Sequence, residues 1–255
     1  PMAMLGCFIL LFGWFGFNAA STLAATDIQF AVVAANTAIA AAFGATTAMF
    51  WCMYTKNFQK PDPGMMVNGM LAGLVAITAP CAFVEPWAAA VIGIVAGVLV
   101  VVACGVIENR FKIDDPVGAI AVHGVNGIWG VLSVGLLANG QYGPGWNLTT
   151  EGAAAGQGVS GIFYGLDPGA GQLASQVAGV VVLCTVMFGF VFLFFKIQNA
   201  VMKGGIRPEA EIELAGLDIP EMGALAYPDF LEQEAITLHA GVSPTHEVPR
   251  EPETV

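Results

Sequence analysis

Charge is what this sequence has least of. Only 11% of its 255 residues are Asp, Glu, Lys or Arg, while 56% are hydrophobic. A soluble domain carries about a quarter charged residues. A chain this apolar, with mean hydropathy +0.74, lacks the polar surface that would keep it in water. Basic residues are scarcest, eight against nineteen acidic ones, so no basic patch is offered to a nucleic acid. The five cysteines (Cys7, Cys52, Cys81, Cys104, Cys184) stand singly in apolar segments, with no CxxC and no histidine beside them. They read as small buried apolar residues and not as a metal or redox centre. HExxH, GxSxG, a phosphate-binding glycine loop and paired intramembrane carboxylates are all missing. No enzyme, cofactor or metal is expected.

What the sequence does have is long apolar runs. Six approach the length of about 20 residues that a helix needs to cross a bilayer. They run from Met2 to about Ser21, Ile28 to Tyr54, Met65 to Phe83, Pro86 to Ile107, Pro116 to Leu137 and Leu173 to Phe195. Spanning strands would be shorter and strictly alternating. In lipid a helix satisfies its own backbone groups. The expected fold is therefore an all-α integral membrane protein, a polytopic bundle of six helices over residues 1–203. The 32 glycines suit close helix packing. Asp114-Asp115-Pro116 reads as a cap with Pro in the first turn, Thr26-Asp27 as a second cap, and Gly204-Gly205 as a helix end. Pro1 leads straight into an apolar run with no basic segment or cleavage pattern. The expectation is a longer protein upstream, not a signal peptide.

The basic residues test the count. Lys56 and Lys60 follow the second run, Arg110 and Lys112 the fourth, and Lys196, Lys203, Arg207 and Arg250 the sixth. With six spans all eight share one side, which the positive-inside rule makes cytoplasmic. The tail, residues 204–255, holds eleven acidic and two basic residues. It reads as a solvated, partly flexible cytoplasmic segment that anionic lipid repels. The connection after the fifth run then lies outside, with Glu151 and Asp167. Its Asn147-Leu148-Thr149 triplet matches a glycosylation sequon, a pattern common by chance.

Of three histidines, only His123 lies in an apolar run; His239 and His246 belong to the tail. An ionisable group inside a span is costly and points to function. Gly124, Gly127 and Gly130 recur every third residue, and Ala119 and Gly127 flank His123 one turn away. This leaves the imidazole on a face of little bulk, with room for a narrow lumen. Tight helix packing would produce the same glycines. In the first run, Trp14, Phe17 and Ser21 fall on one helical face. An aromatic ring attracts a cation, a hydroxyl accepts a hydrogen bond from one, and a phenyl ring closes a pore. An interfacial aromatic belt with core packing accounts for the same spacing.

Three stretches carry a resemblance. Gly13-Trp14-Phe15-Gly16-Phe17-Asn18-Ala19-Ala20-Ser21 resembles the sixth helix of the ammonium transporter and Rhesus family. Asp114-Asp115-Pro116-Val117-Gly118-Ala119-Ile120-Ala121-Val122-His123-Gly124-Val125-Asn126-Gly127 resembles that family's tenth-helix signature. Glu211-Ile212-Glu213-Leu214-Ala215-Gly216-Leu217-Asp218 is similar to its cytoplasmic regulatory segment. The resemblance implies an eleven-helix fold of two inverted halves, with this chain as the C-terminal half (helices six to eleven) of a prokaryotic-type transporter. It implies a homotrimer in the cell membrane with one pore per subunit. His123 would be one of two pore histidines, Phe17 one of two gate rings, Ser21 part of the outer ammonium site, and Trp14 a pore-lining residue. It also implies a tail that docks a PII-type signalling protein. Here the tail departs from the family, reading Glu221-Met222-Gly223-Ala224-Leu225-Ala226-Tyr227 where many members have a His-Gly-Glu run. The expected function is ammonium transport: the ion is recruited outside, deprotonated, and passed as ammonia through a narrow apolar pore. A Rhesus-like neutral gas channel and an ammonium sensor are the alternatives.

Overall fold

The computed structural model describes residues 2–55, 60–142 and 158–225. Lys56, the Asn147-Leu148-Thr149 triplet, Glu151, and the tail beyond residue 225 with His239, His246 and Arg250 lie outside the described residues. The described chain is all-α, with one isolated bridge between Asn139 and Ser160. Its helices are α1 (Met2–Asn18), α2 (Ile28–Thr55), α3 (Pro63–Thr78), α4 (Pro86–Gly105), α5 (Asn126–Leu137), α6 (Leu166–Val201) and α7 (Ala210–Ala215). A π-helical turn, Ile120–Val125, leads directly into α5. The chain divides into two compact units, residues up to Met187 and residues from Phe188 onward.

Among the described residues, five helical stretches, against the six expected spans, are long and apolar enough to cross a membrane. The exception is α3, with 16 residues. Asp62 starts it, its carboxylate accepting the Met65 amide at 3.1 Å, with Pro63 at the first position where no amide is needed. Pro80 stops it: without an N–H it cannot continue the ladder, and the chain turns over residues 79–83.

The first unit is built around α2, α3 and α4. Its core is short side chains, with Ala40, Ala48, Ala72, Ala76, Ala88, Ala89 and Ala96 fully buried beside Ile77, Ile92 and Val100. Lipid is as apolar as a side chain, so helices associate by close backbone approach. A Cβ on Gly97 would stand 2.6 Å from the Gly44 carbonyl and 2.9 Å from the Thr47 Cβ. Gly69 faces Gly44 and Ala48 in the same way, and Gly73 and Gly93 both face Ala40.

Polar ties fix which ends meet. Asn36, near the start of α2, donates its amide to the carbonyls of Cys81 (2.9 Å) and Val84 (2.8 Å). The Asn139 amide donates to Phe83 at 2.9 Å. The α2 start, the α3–α4 link and the segment after α5 therefore share one end. At the other end Asn68 of α3 donates to the Val117 carbonyl at 3.2 Å. Lys60, Arg110 and Lys112 lie in the connections at this second end. Replacing Asn36 with alanine leaves two buried carbonyls without that donor, at about 1–3 kcal/mol for each unsatisfied group. The expected result is a loss of about 3 kcal/mol, read as a lowered melting midpoint in detergent.

In the second unit, the exposed end of α6 stacks Phe188 on Phe192 (5.9 Å) and sets the Lys196 ammonium 5.4 Å from the Phe192 ring. Gly204 and Gly205, with φ of +86° and +81°, turn the chain beyond α6. Arg207 then donates from Nε and Nη2 to the two carboxylate oxygens of Glu213, each at 2.8 Å. That guanidinium holds the Glu213 carboxyl below its ordinary range.

Candidate functional site

The segment before α5 is shaped by one acid and one glycine. Asp115 is 4% exposed, and its Oδ2 accepts the amides of Ile120 (3.0 Å) and Ala121 (3.4 Å). It thus caps the helix that begins here, from a buried position. Pro116 lies in the tight turn ahead of the helix, not in the first helical turn. Gly118 takes φ +71°, and a Cβ there would meet Asn68 Nδ2 at 3.0 Å and Cys104 Sγ at 3.1 Å. Only glycine combines that dihedral with that closeness.

From there the chain enters the π turn that carries His123. The ring borders a groove of about 350 Å³ between α1, α3 and the start of α5. Cys7, Val67, Leu71, Ala119 and Val122 line it, and its polar amide and imidazole groups come from Asn68 and His123. His123 is exposed within this chain. A neutral imidazole offers one donor and one acceptor, so this wall presents one titratable ring to a hollow whose other side-chain polar group is Asn68.

Trp14 and Phe17 are brought together, ring centroids 6.0 Å apart and planes at 89°. The Trp14 indole donates to Thr78 Oγ1 at 2.8 Å, and Thr78 donates on to Leu74 at 2.7 Å. Phe17 is 60% exposed. Ser21, in the turn Ala20–Thr22, donates its hydroxyl to the Phe17 carbonyl.

These residues form a stripe, not a cluster. Cys7 and Leu71 both line the His123 groove, and Trp14 meets Thr78. Cys7 to Trp14 and Leu71 to Thr78 are each two helical turns. The helices α1 and α3 therefore run in the same direction, and the tryptophan stands about 10 Å along from the histidine level. The Gly124, Gly127 and Gly130 face also divides. A Cβ on Gly130 would stand 2.5 Å from the Ala76 carbonyl oxygen, and one on Gly127 4.0 Å from Val75. One on Gly124 would meet only its own helix's Ile120, at 3.7 Å.

Asn68, Thr78 and Asn126 went unmarked in the sequence reading, although each is an amide or hydroxyl inside an apolar run. Among the described residues no group of three or more His, Cys, Asp or Glu is placed to hold a metal.

The family model for the Ammonium Transporter Family matches residues 1–227. The chain belongs to that family. It is 45% identical over 229 residues to Ammonium transporter Amt2 of Archaeoglobus fulgidus, covering 90% of this chain and 46% of that protein. It is 33% identical to the Ammonium transporter of Bacillus subtilis, covering 88% and 51%. A solved Sensor Amt Protein superposes with TM-score 0.72 at 38% identity, over 87% of this chain and 49% of that one. Mep2 of Candida albicans superposes with TM-score 0.69 at 26% identity, over 82% and 43%. The chain spans about half the length of the curated relatives it matches. Membership makes it a multi-pass membrane protein of a transporter family, not an enzyme family. One expectation is corrected. Reading the chain as a C-terminal half with helices six to eleven does not stand. The family match extends over nearly all of this chain, and five helices, not six, have spanning length.

Proposed function

We propose that this chain lines a path for ammonium nitrogen across a membrane, taking the ion at one end and passing neutral ammonia along an apolar wall past His123. The observation that carries the reading is the groove itself, an imidazole and one amide, Asn68, on a mostly apolar surface, joined along α1 to the Trp14–Phe17 pair. A bare cation in such a place costs on the order of tens of kcal/mol before relaxation, and a neutral amine only a few. A path of this kind therefore demands that a proton be left behind.

Ser21 suits the entry. Its own hydrogen is engaged by the Phe17 carbonyl, which leaves its oxygen to accept from an ammonium N–H. Phe17, exposed beside it, is the gate. Trp14, anchored by Thr78, lines the path next, and His123 receives ammonia deeper in. Lys60, Arg110 and Lys112 gather at the end opposite the α2 start. The positive-inside rule makes that end cytoplasmic and puts Ser21 outside. The working assembly is a homotrimer in the cell membrane. The acidic tail, residues 204–255, is cytoplasmic and offers a PII-type protein its docking segment at α7.

The test is uptake of labelled methylammonium into vesicles holding the full chain. Saturable uptake that ammonium competes away is expected, and uptake indifferent to ammonium overturns the reading. Ammonium sensing is a second reading, favoured by the likeness to the Sensor Amt Protein.

A further inference from the structure

We infer that Asn126 is a positioning residue, locking the π turn that carries His123 and so setting where the imidazole points. The inference rests on reading His123 as a pore residue only for its consequence in transport; the geometry stands by itself. In an α-helix the Ala121 carbonyl would accept the amide four residues on. Here it accepts the backbone amide of Asn126, five residues on. The Asn126 side chain adds a second bond to the same oxygen, Nδ2 to Ala121 at 2.9 Å. Asn126 is fully buried, and its Oδ1 has no partner among the described residues. The amide is therefore retained in the interior at the cost of one unsatisfied acceptor, and the bond to Ala121 is the polar contact it makes.

Both ends of the turn are held by other contacts. Ahead of it, Asp115 holds the amides of Ile120 and Ala121. After it, Trp129 donates to the Ile92 carbonyl at 3.2 Å, and Gly130 lies against Ala76. His123 sits between these anchors, so its direction depends on how many residues the turn contains. Each residue of an α-helix turns the chain by about 100°. A collapse from π to α geometry would swing the ring by that amount relative to α5, away from the groove of Asn68 and Leu71. Single π turns mark functional segments of helices because they shift side chains in this way.

The experiment is solid-state NMR of ring-labelled histidine in the full chain in lipid. His239→Gln and His246→Gln are both introduced so that His123 alone reports, and methylammonium uptake is measured beside it. Asn126→Leu is expected to move the His123 ring nitrogen resonances and break ring proximity to Leu71. It is also expected to lower the uptake rate roughly tenfold to a hundredfold, the scale on which a shift of about 1 Å acts on a positioned group. Ser133→Ala is the comparison. It removes another buried bond to a carbonyl of the same helix, Ser133 to Gly130, and is expected to leave the ring signals in place. Should the leucine variant fail to fold, Asn126→Asp, of the same shape without the amide donor, is read by the same signals. Ring resonances unmoved by the Asn126 variants, or moved equally by Ser133→Ala, overturn the inference. Resonances that move while uptake holds support the positioning role and overturn His123 as a transport residue.

Discussion

Replacing His123 with alanine is expected to cut methylammonium uptake by roughly 5- to 150-fold while leaving the protein folded. The two halves of that expectation have separate causes. Among the described residues the ring makes no hydrogen bond and is exposed to the groove. Its removal therefore takes away no buried bond or close packing, and stability should shift by no more than about 0.5 kcal/mol. Transport is different. A solute that has shed its water in an apolar groove loses its hydrogen-bond partner when the imidazole goes. An unsatisfied polar group of that kind costs about 1–3 kcal/mol, which is a factor of roughly 5 to 150 in rate. Of the groups lining the groove, Asn68 is the other polar one, and it donates one amide hydrogen to the Val117 carbonyl. His123→Gln, which keeps a donor and an acceptor, should fall between wild type and alanine. Uptake by the alanine variant equal to wild type, at matched protein in the vesicles, would sink His123 as a pore residue.

How much of this was legible in the sequence follows from which physical signals a linear string carries. Apolar length is one, and it revealed a helical membrane chain. It did not show that the third run is helical only to Thr78, where Pro80 breaks a run that stays apolar through Phe83. Hydropathy does not distinguish a helix from the turn that follows it. Residue type inside an apolar run is another signal, and it picked out His123 because one imidazole among alanines and valines is conspicuous. It passed over Thr78 and Asn68, whose partners lie 64 and 49 positions away in sequence. It read Asp115 as a helix cap, but its burial, at 4% exposure, is a tertiary property that a local pattern does not carry. The π turn was invisible for a sharper reason. Spacing arguments assume 3.6 residues per turn, so Gly124, Gly127 and Gly130 read as one equivalent face. One extra residue in the turn breaks the equivalence and leaves only Gly130 against a neighbour's backbone.

That distinction yields the second large effect. Gly130→Val is expected to destabilise the protein severely, while Gly124→Ala is expected to be close to neutral. Pro80 has no N–H, so the Ala76 carbonyl lacks the donor that an α-helix would give it. The bend at residues 79–83 bares that carbonyl toward α5. Gly130 closes on it; a Cβ would lie 2.5 Å from the oxygen and 3.0 Å from the Ala76 Cα and carbonyl carbon. All three atoms are backbone, so no rotamer change relieves the clash, and α5 has to move off α3. Overpacking a tight interior costs about 1–3 kcal/mol when side chains absorb it; here a whole helix contact absorbs it, and the upper end of that range or more is expected. At Gly124 a methyl group would meet only the Ile120 side chain at 3.7 Å, an ordinary contact, and alanine gains helix propensity over glycine by about 1 kcal/mol. Melting midpoints of the two variants in detergent decide the matter. Equal losses would restore the picture of one uniform glycine face. A large loss at 130 alone ties the placement of α5, and with it the wall that carries His123, to the close approach of Gly130 to the Ala76 backbone.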